Sequence, residues 1–290
     1  MENTNKKKIA VALHPRAQLG LGDIFIAIYR KNGWFSKLKA MSNDYKIYLL
    51  VCCHNSHSFG LFKYFDYLEP VRVGWNGNHP NYKRIAENIG ARFVGDAFVY
   101  ESRHEIEDPT MQLSPEEQDT YNEISKNGII LIHPFAGEKQ RIPIKPQRYT
   151  RLIRGIREHT DGNIVVVGGS FRRNKRKQSI PAVDVKEDFT TNISPNVFNL
   201  VNKTTPRLAA KLTEKANFFF GTWSAYCCIA WEKKIPIAMF VGPDAYKEFM
   251  GRRKNSYFWH KEILPVDAKT QTEDKAFSDG INFFKKVTRS

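Results

Sequence analysis

Gly128-Ile129-Ile130-Leu131-Ile132-His133-Pro134-Phe135-Ala136-Gly137 is the stretch on which the fold turns. Residues 129–132 are β-prone and apolar with no polar position between them. Such a strand has no wet face, so both of its faces must be covered, as in a parallel sheet flanked by helices. Gly128 in front and Pro134 and Gly137 behind hold the run to strand length. Downstream the alternation continues: a helix over 147–159, a strand over 164–167 closed by Gly168-Gly169, a short strand over 199–201 and a helix over 206–215. Strands over 217–220 and 237–241 follow, and residues 272–287 form a last amphipathic helix carrying Phe277, Ile281, Phe284 and Val287.

Upstream the same grammar appears in weaker form. Residues 9–13 and 45–53 read as strands, 62–68 and 81–89 as helices, and 71–73 as a short strand. After the first strand comes the loop Gln18-Leu19-Gly20-Leu21-Gly22-Asp23, and residues 24–30 open a helix. The acidic segment 101–126 contains Ser114-Pro115-Glu116-Glu117, with an N-cap serine, a proline at the first helical position and a glutamate at the third. Two βαβ series imply an α/β protein of two doubly wound parallel-sheet domains that meet near residue 128. In such sheets ligands bind at the carboxyl ends of the strands, here expected in the cleft between the domains. The similarity between the halves is one of architecture, without an internal sequence repeat.

The 290 residues suffice for two ordinary cores, with 41% hydrophobic residues to fill them. No run reaches the roughly 18 apolar residues of a membrane-spanning helix. The apolar run after Lys6-Lys7-Lys8 is too short and too β-like for a signal-peptide core, so a cytoplasmic setting is expected, with a peripheral place at the inner face of a membrane as an option. The four cysteines form the adjacent pairs Cys52-Cys53 and Cys227-Cys228, which lack metal-ligand spacing and read as buried thiols. No metal site and no resident cofactor are expected. The formal net charge of +15 points to an anionic partner: nucleic acid, an anionic glycan, a membrane surface or a nucleotide.

Four segments carry candidate chemistry. Gly20 and Gly22 let the backbone turn tightly toward a ligand, and Asp23 then stands at a helix start, as a general base or as a simple cap. Lys139 and Arg141, after the buried strand, suit a diphosphate that gains charge as it leaves. In Thr222-Trp223-Ser224, a helix start supplies backbone N–H groups and two hydroxyls to an anion, while Trp223 stacks on a base or fills core. Arg172 and Arg173 begin the basic run 172–177, which contacts phosphates or acceptor, or is merely solvated.

Taken together, these residues resemble the lipopolysaccharide heptosyltransferases, the ADP-heptose-type glycosyltransferases of the two-domain GT-B class. The resemblance rests on Leu19-Gly20-Leu21-Gly22-Asp23; on Ile130-Leu131-Ile132-His133-Pro134 with Gly137 and Lys139; and on Val165-Val166-Val167-Gly168-Gly169. It continues through Asn199-Leu200 with Lys203-Thr204-Thr205 and Leu208-Ala209-Ala210, then Phe220-Gly221, Ser224, Ile235-Pro236 and Phe240-Val241-Gly242-Pro243. It implies an acceptor-side domain over 1–128, a nucleotide-sugar donor domain over 129–271, and a helix over 272–290 that packs back on the first domain. It further implies that Asp23 is the base, that Lys139 contacts the donor diphosphate, and that Gly168, Gly169, Ser170 and Lys203 border the nucleotide. The implied reaction is inverting, metal-independent sugar transfer from a nucleotide-diphosphate sugar to a hydroxyl of an anionic acceptor. A lipopolysaccharide-type glycan is the first expectation for that acceptor, and a modified base in DNA the alternative. A protein that binds nucleotide sugar or nucleic acid without turnover is the further alternative. The chain departs from the family pattern at Trp223, Ala225 and Cys228, where an acid, a glycine and a histidine are usual, and in the basic stretch after Gly169.

Overall fold

The structure, a computed structural model, describes residues 6–13, 34–52, 59–74, 80–97, 112–135, 144, 148–168, 171–173, 179–181, 195–243, 246–247, 261–266 and 273–289. The chain divides into two compact units, Met1–Leu113 and Ser114–Ser290. The first holds a four-stranded parallel sheet in the order β3-β2-β1-β4. Its strands are β1 (Lys7–Leu13), β2 (Tyr45–Val51), β3 (Glu69–Arg72) and β4 (Arg92–Ala97). Helix α1 (Trp34–Met41) contacts β2, and α2 (Tyr82–Asn88) contacts β1 and β4. Ala10, Ala12, Tyr48 and Leu50 point to the α2 side and pack with Tyr82 and Ala86. Where a helix was expected over 62–68, the chain makes only the 3-10 turn Leu61–Tyr64, and the strand expected over 71–73 is Glu69–Arg72.

The second unit is built on a six-stranded sheet, every pair of which is parallel. Its strands are β5 (Ile129–His133), β6 (Asn163–Val166), β9 (Val197–Asn199), β10 (Ala216–Thr222), β11 (Ile237–Val241) and β12 (Lys261–Pro265). A separate antiparallel pair, β7 (Phe171–Arg173) and β8 (Ser179–Pro181), stands apart from it. The spatial order is β12-β11-β10-β5-β6-β9. Numbered by appearance within the unit, that is the order 3-2-1-4-5-6 of dinucleotide-binding sheets, read from the opposite edge. As expected from its composition, β5 is buried along its whole length.

Helices cover both faces. On one side Ile130, Ile132, Val166, Phe218, Phe220 and Phe240 pack against α4 (Tyr149–Arg157) and α7 (Glu273–Thr288). On the other, α3 (Pro115–Ser125), α5 (Pro206–Glu214) and α6 (Ala225–Glu232) supply Ile124, Leu208, Leu212, Cys227 and Ile229, all buried. Cys227 lies 3.7 Å from Met239 of β11, and Cys52, Cys227 and Cys228 are free thiols in the interior. Among the described residues no helix is long and apolar enough to cross a membrane.

One boundary and one helix show how the second unit is assembled. The unit boundary falls before Ser114 rather than at residue 128, so α3 belongs to the second unit. The reason is Glu117. It closes the capping box with Ser114, and it also accepts hydrogen bonds from the Thr205 hydroxyl and from Arg207 Nε at 2.5 Å, at the start of α5. Asn163 Nδ2 then donates to the Ile124 carbonyl at 2.7 Å and holds the other end of α3. The last helix, α7, buries its apolar stripe in the second unit's core. Phe284 meets Phe218 edge-on with ring centroids 5.2 Å apart, and Phe277 lies 5.3 Å from Phe240. The aromatic face read in the sequence is correct, and the sheet of its own unit is what it covers.

Candidate functional site

In a sheet of this order the chain leaves β5 in one direction and returns to β10 in the other, and the carboxyl ends of these two strands open a crevice. His133 and Gly221 stand opposite each other there. A Cβ on Gly221 would come within 2.5 Å of the His133 carbonyl oxygen, so glycine is what lets the two strands approach this closely.

His133 is 6% exposed and, among the described residues, faces Phe135, Tyr226 and Gly168. Its ring lies 5.9 Å from Phe135, at a steep edge-on angle, and 5.1 Å from Tyr226. The third neighbour is Gly168, at the end of β6, whose φ is +111°. A Cβ there would lie 2.7 Å from His133 Nε2 and 3.0 Å from Phe135 Cδ2. The Gly168 carbonyl accepts the Asn202 amide at 2.8 Å, which ties the end of β6 to the turn carrying Lys203. Burial pushes the His133 pKa down to about 4, and the main chain of His133 and Phe135 offsets this only in part. The ring is therefore neutral at physiological pH, and its Nδ1 meets no partner at hydrogen-bonding geometry. Burial likewise raises the Tyr226 phenol above its ordinary range, so it too is uncharged.

The segment after β10 is shaped by its caps. The Thr222 side chain is fully buried and donates its O–H to the Phe135 carbonyl, so that hydrogen is committed to the protein. Ser224 is the N-cap of α6, and its Oγ accepts the Cys227 amide at 3.2 Å. As an acceptor there, Ser224 keeps its own O–H to donate. The amino end of α6, with its positive dipole end, thus stands at the crevice. Trp223 is half-buried and packs edge-on to Trp231 at 5.6 Å.

The structure thus brings Thr222, Trp223 and Ser224 to one side of the crevice, and Gly168 with the exposed Lys203 turn to the other. Arg172 and Arg173 are on β7, paired with Ile180 and Ser179 in the small hairpin. Gly20, Gly22, Asp23, Lys139, Arg141, Gly169 and Ser170 lie outside the described residues. His133 and Phe135 lie in the stretch that carries the resemblance but were given no site role from the sequence, and Tyr226 was given none either. The available signal was a polar residue closing an otherwise apolar buried strand, and it was overshadowed by the cations downstream. Among the described residues, no group of three or more His, Cys, Asp or Glu side chains is placed to hold a metal ion.

By sequence, no family model and no curated protein matches the chain. By structure it does match. E. coli ADP-heptose lipopolysaccharide heptosyltransferase II superposes with a TM-score of 0.55 at 12% identity, over 96% of this chain and 98% of that one. The fold is that of the heptosyltransferases. E. coli heptosyltransferase WaaC, solved with ADP-2-deoxy-2-fluoro heptose, matches this heptosyltransferase fold with a TM-score of 0.52 at 10% identity, over 94% and 99% of the two chains. A glycosyl transferase family 9 protein from Veillonella parvula gives 0.51 at 12% identity, over 94% and 89%. The expected architecture, two Rossmann-like units of the GT-B class, is therefore observed.

Proposed function

We propose that this protein is a glycosyltransferase that moves a sugar from a nucleoside-diphosphate sugar to a hydroxyl of an anionic acceptor. The observation that carries this reading is the second unit's sheet order, with the amino end of α6 and its Ser224 cap at the point where the strand order reverses. A crevice of that kind suits a phosphate-bearing ligand, because helix-start amides and the helix dipole favour negative charge. The likeness to heptosyltransferases along nearly the whole chain supports a nucleotide sugar as that ligand.

In this reading the second unit is the donor domain and the first serves the acceptor. Asp23 takes the proton from the attacking hydroxyl, and Lys139, Arg141, the Ser224 O–H and the amides at the start of α6 hold the diphosphate as it departs. Attack opposite the leaving group inverts the anomeric centre, and cationic side chains do the charge neutralisation that a metal performs elsewhere. Gly168 and the Lys203 turn border the nucleotide. The net charge of +15 favours an anionic acceptor, with a lipopolysaccharide-type glycan first.

The test is thermal unfolding with ADP-, UDP-, GDP- and CDP-sugars and the free nucleoside diphosphates. Ligand at ~100 times its dissociation constant adds ~2.7 kcal/mol, an easily seen shift. Asp23→Asn should then keep donor binding but lose turnover by about 10²–10⁴-fold, the usual worth of a general base. Stabilisation by duplex DNA with none by any nucleotide would overturn the reading.

A further inference from the structure

Among the described residues, every other side chain that closes the sheet's carboxyl end next to β5 is explained by packing or by a cap. Phe135 and Tyr226 fill space, Thr222 is bonded to a carbonyl, and Ser224 caps α6. His133 is the exception. It is a buried imidazole whose Nδ1 meets no partner at good hydrogen-bonding geometry and has only weak main-chain contacts, and room for its ring depends on a glycine held at φ +111°. A buried polar atom without a partner is destabilising, and a chain that needed only a core residue at the end of β5 would be better served by leucine.

Resting on the nucleotide-sugar reading above, we infer that His133 is a ligand-responsive residue: a diphosphate bound at the amino end of α6 draws a proton from solvent onto the His133 imidazole. The free nitrogen takes up the proton to give imidazolium, and no covalent bond to the ligand forms. The geometry supports this in three ways. His133 ends the strand at the switch point, and Tyr226, in the first turn of α6, packs directly on its ring. Among the described residues packed on the ring, Phe135 and the Gly168 backbone do not titrate and Tyr226 is neutral, so none of these supplies a compensating charge beforehand. In so poorly solvated a place, an incoming anion acts on the imidazole with little screening. The neutral ring of the empty site and the charged ring of the occupied one are then two states of one switch, and product release returns the proton.

The experiment is calorimetric titration of the full chain with ADP and UDP near pH 6.5, in buffers of different ionisation enthalpy. The wild type should take up a fraction of a proton per nucleotide beyond that of His133→Asn. Its affinity should rise on acidification more steeply than the variant's, by up to about tenfold per pH unit. Should the variant not fold, the wild type alone decides. Histidine-selective NMR should show one of the eight histidines titrating far below the others without nucleotide, and moving toward neutral pH with ADP. Nucleotide binding with equal proton uptake in both proteins, or with no histidine resonance shifted, overturns the inference while leaving the nucleotide-sugar reading standing. Absence of binding by every nucleoside diphosphate overturns both.

Discussion

Replacing Gly168 with alanine tests the crevice at its tightest point. At φ +111° an L-residue is strained, by about 1–3 kcal/mol. The added Cβ would also lie 2.7 Å from His133 Nε2, 2.8 Å from its Cδ2 and 3.0 Å from Phe135 Cδ2. These are ring atoms of side chains packed on several sides, so neither can swing away freely as the tip of a lysine would. Overpacking of this kind costs a further ~1–3 kcal/mol. The sum is ~2–6 kcal/mol, and with a urea slope of about 2 kcal/mol/M the unfolding midpoint should fall by about 1–3 M. The two contributions separate in a double mutant. With His133→Ala already in place, the collision with the imidazole is relieved while the backbone strain and the tight Phe135 contact remain, so the pair should be non-additive by about 1–2 kcal/mol. Urea unfolding of the four proteins, followed by circular dichroism, provides the numbers. A Gly168→Ala protein within 0.5 kcal/mol of wild type, or a strictly additive pair, would refute the account of a glycine kept to make room for the histidine.

The remaining predictions concern stability. Glu117→Gln keeps a capping group at the start of α3 but removes the carboxylate that Arg207, 14% exposed, pairs with, so stability should drop by about 3 kcal/mol and recover in part with Arg207→Met. Burial alone would raise the Glu117 carboxyl, but hydrogen bonds from Arg207, Thr205 and Ser114 outweigh it and hold the pKa below its ordinary value; this stabilisation is present at neutral pH and lost as pH falls through the lowered pKa. His133 acts in the same direction at higher pH: its folded pKa of about 4 lies below the 6.5 of the unfolded chain, so stability falls by about 3 kcal/mol between these values, and His133→Asn should flatten that part of the urea-midpoint profile. Phe284→Ala removes a 2%-exposed ring wedged against Phe218 and Phe220, and calorimetry should register a loss of about 3–5 kcal/mol.

What the sequence disclosed and what it hid follow from the range of the interactions involved. The uninterrupted runs of β5 and β11 announce buried parallel strands because nothing else accommodates them. The caps at Ser114 and Ser224 were legible because a cap is a matter of three or four neighbouring residues. Strand β4 was missed because Gly95 interrupts its apolar pattern. In the sheet the register slips there, with Ala10 opposite Phe93 and Val11 opposite Gly95, and Val94 is left exposed. Strand β12 was missed because a single apolar pair, Ile263-Leu264, is little for any pattern to hold. The strand order itself is not written locally at all, since β5 finds β10 and β6 through contacts distant in sequence. The same holds for α7: its apolar stripe was plain, but which surface it covers depends on three-dimensional neighbours. At the crevice, the helix start at Ser224 was legible from its residues, whereas the role of His133 emerges only when Gly168 and Tyr226 are brought against it.

The closure of the second unit by α7 bears on how the chain is made. The Ile129 amide finds its acceptor in Asn217, 88 residues further on, and the face formed by Phe218 and Phe220 is covered only when Phe284 arrives. A ribosome extends a chain at about 5–20 residues per second, so β5 and the apolar strands after it wait many seconds for their cover. Throughout that interval the four described strands of the first unit, all of which precede residue 98, already have one another as partners. Synthesis therefore delivers a finished first unit followed by an open, aromatic-rich sheet, and the nascent second unit is the part that would call on a chaperone.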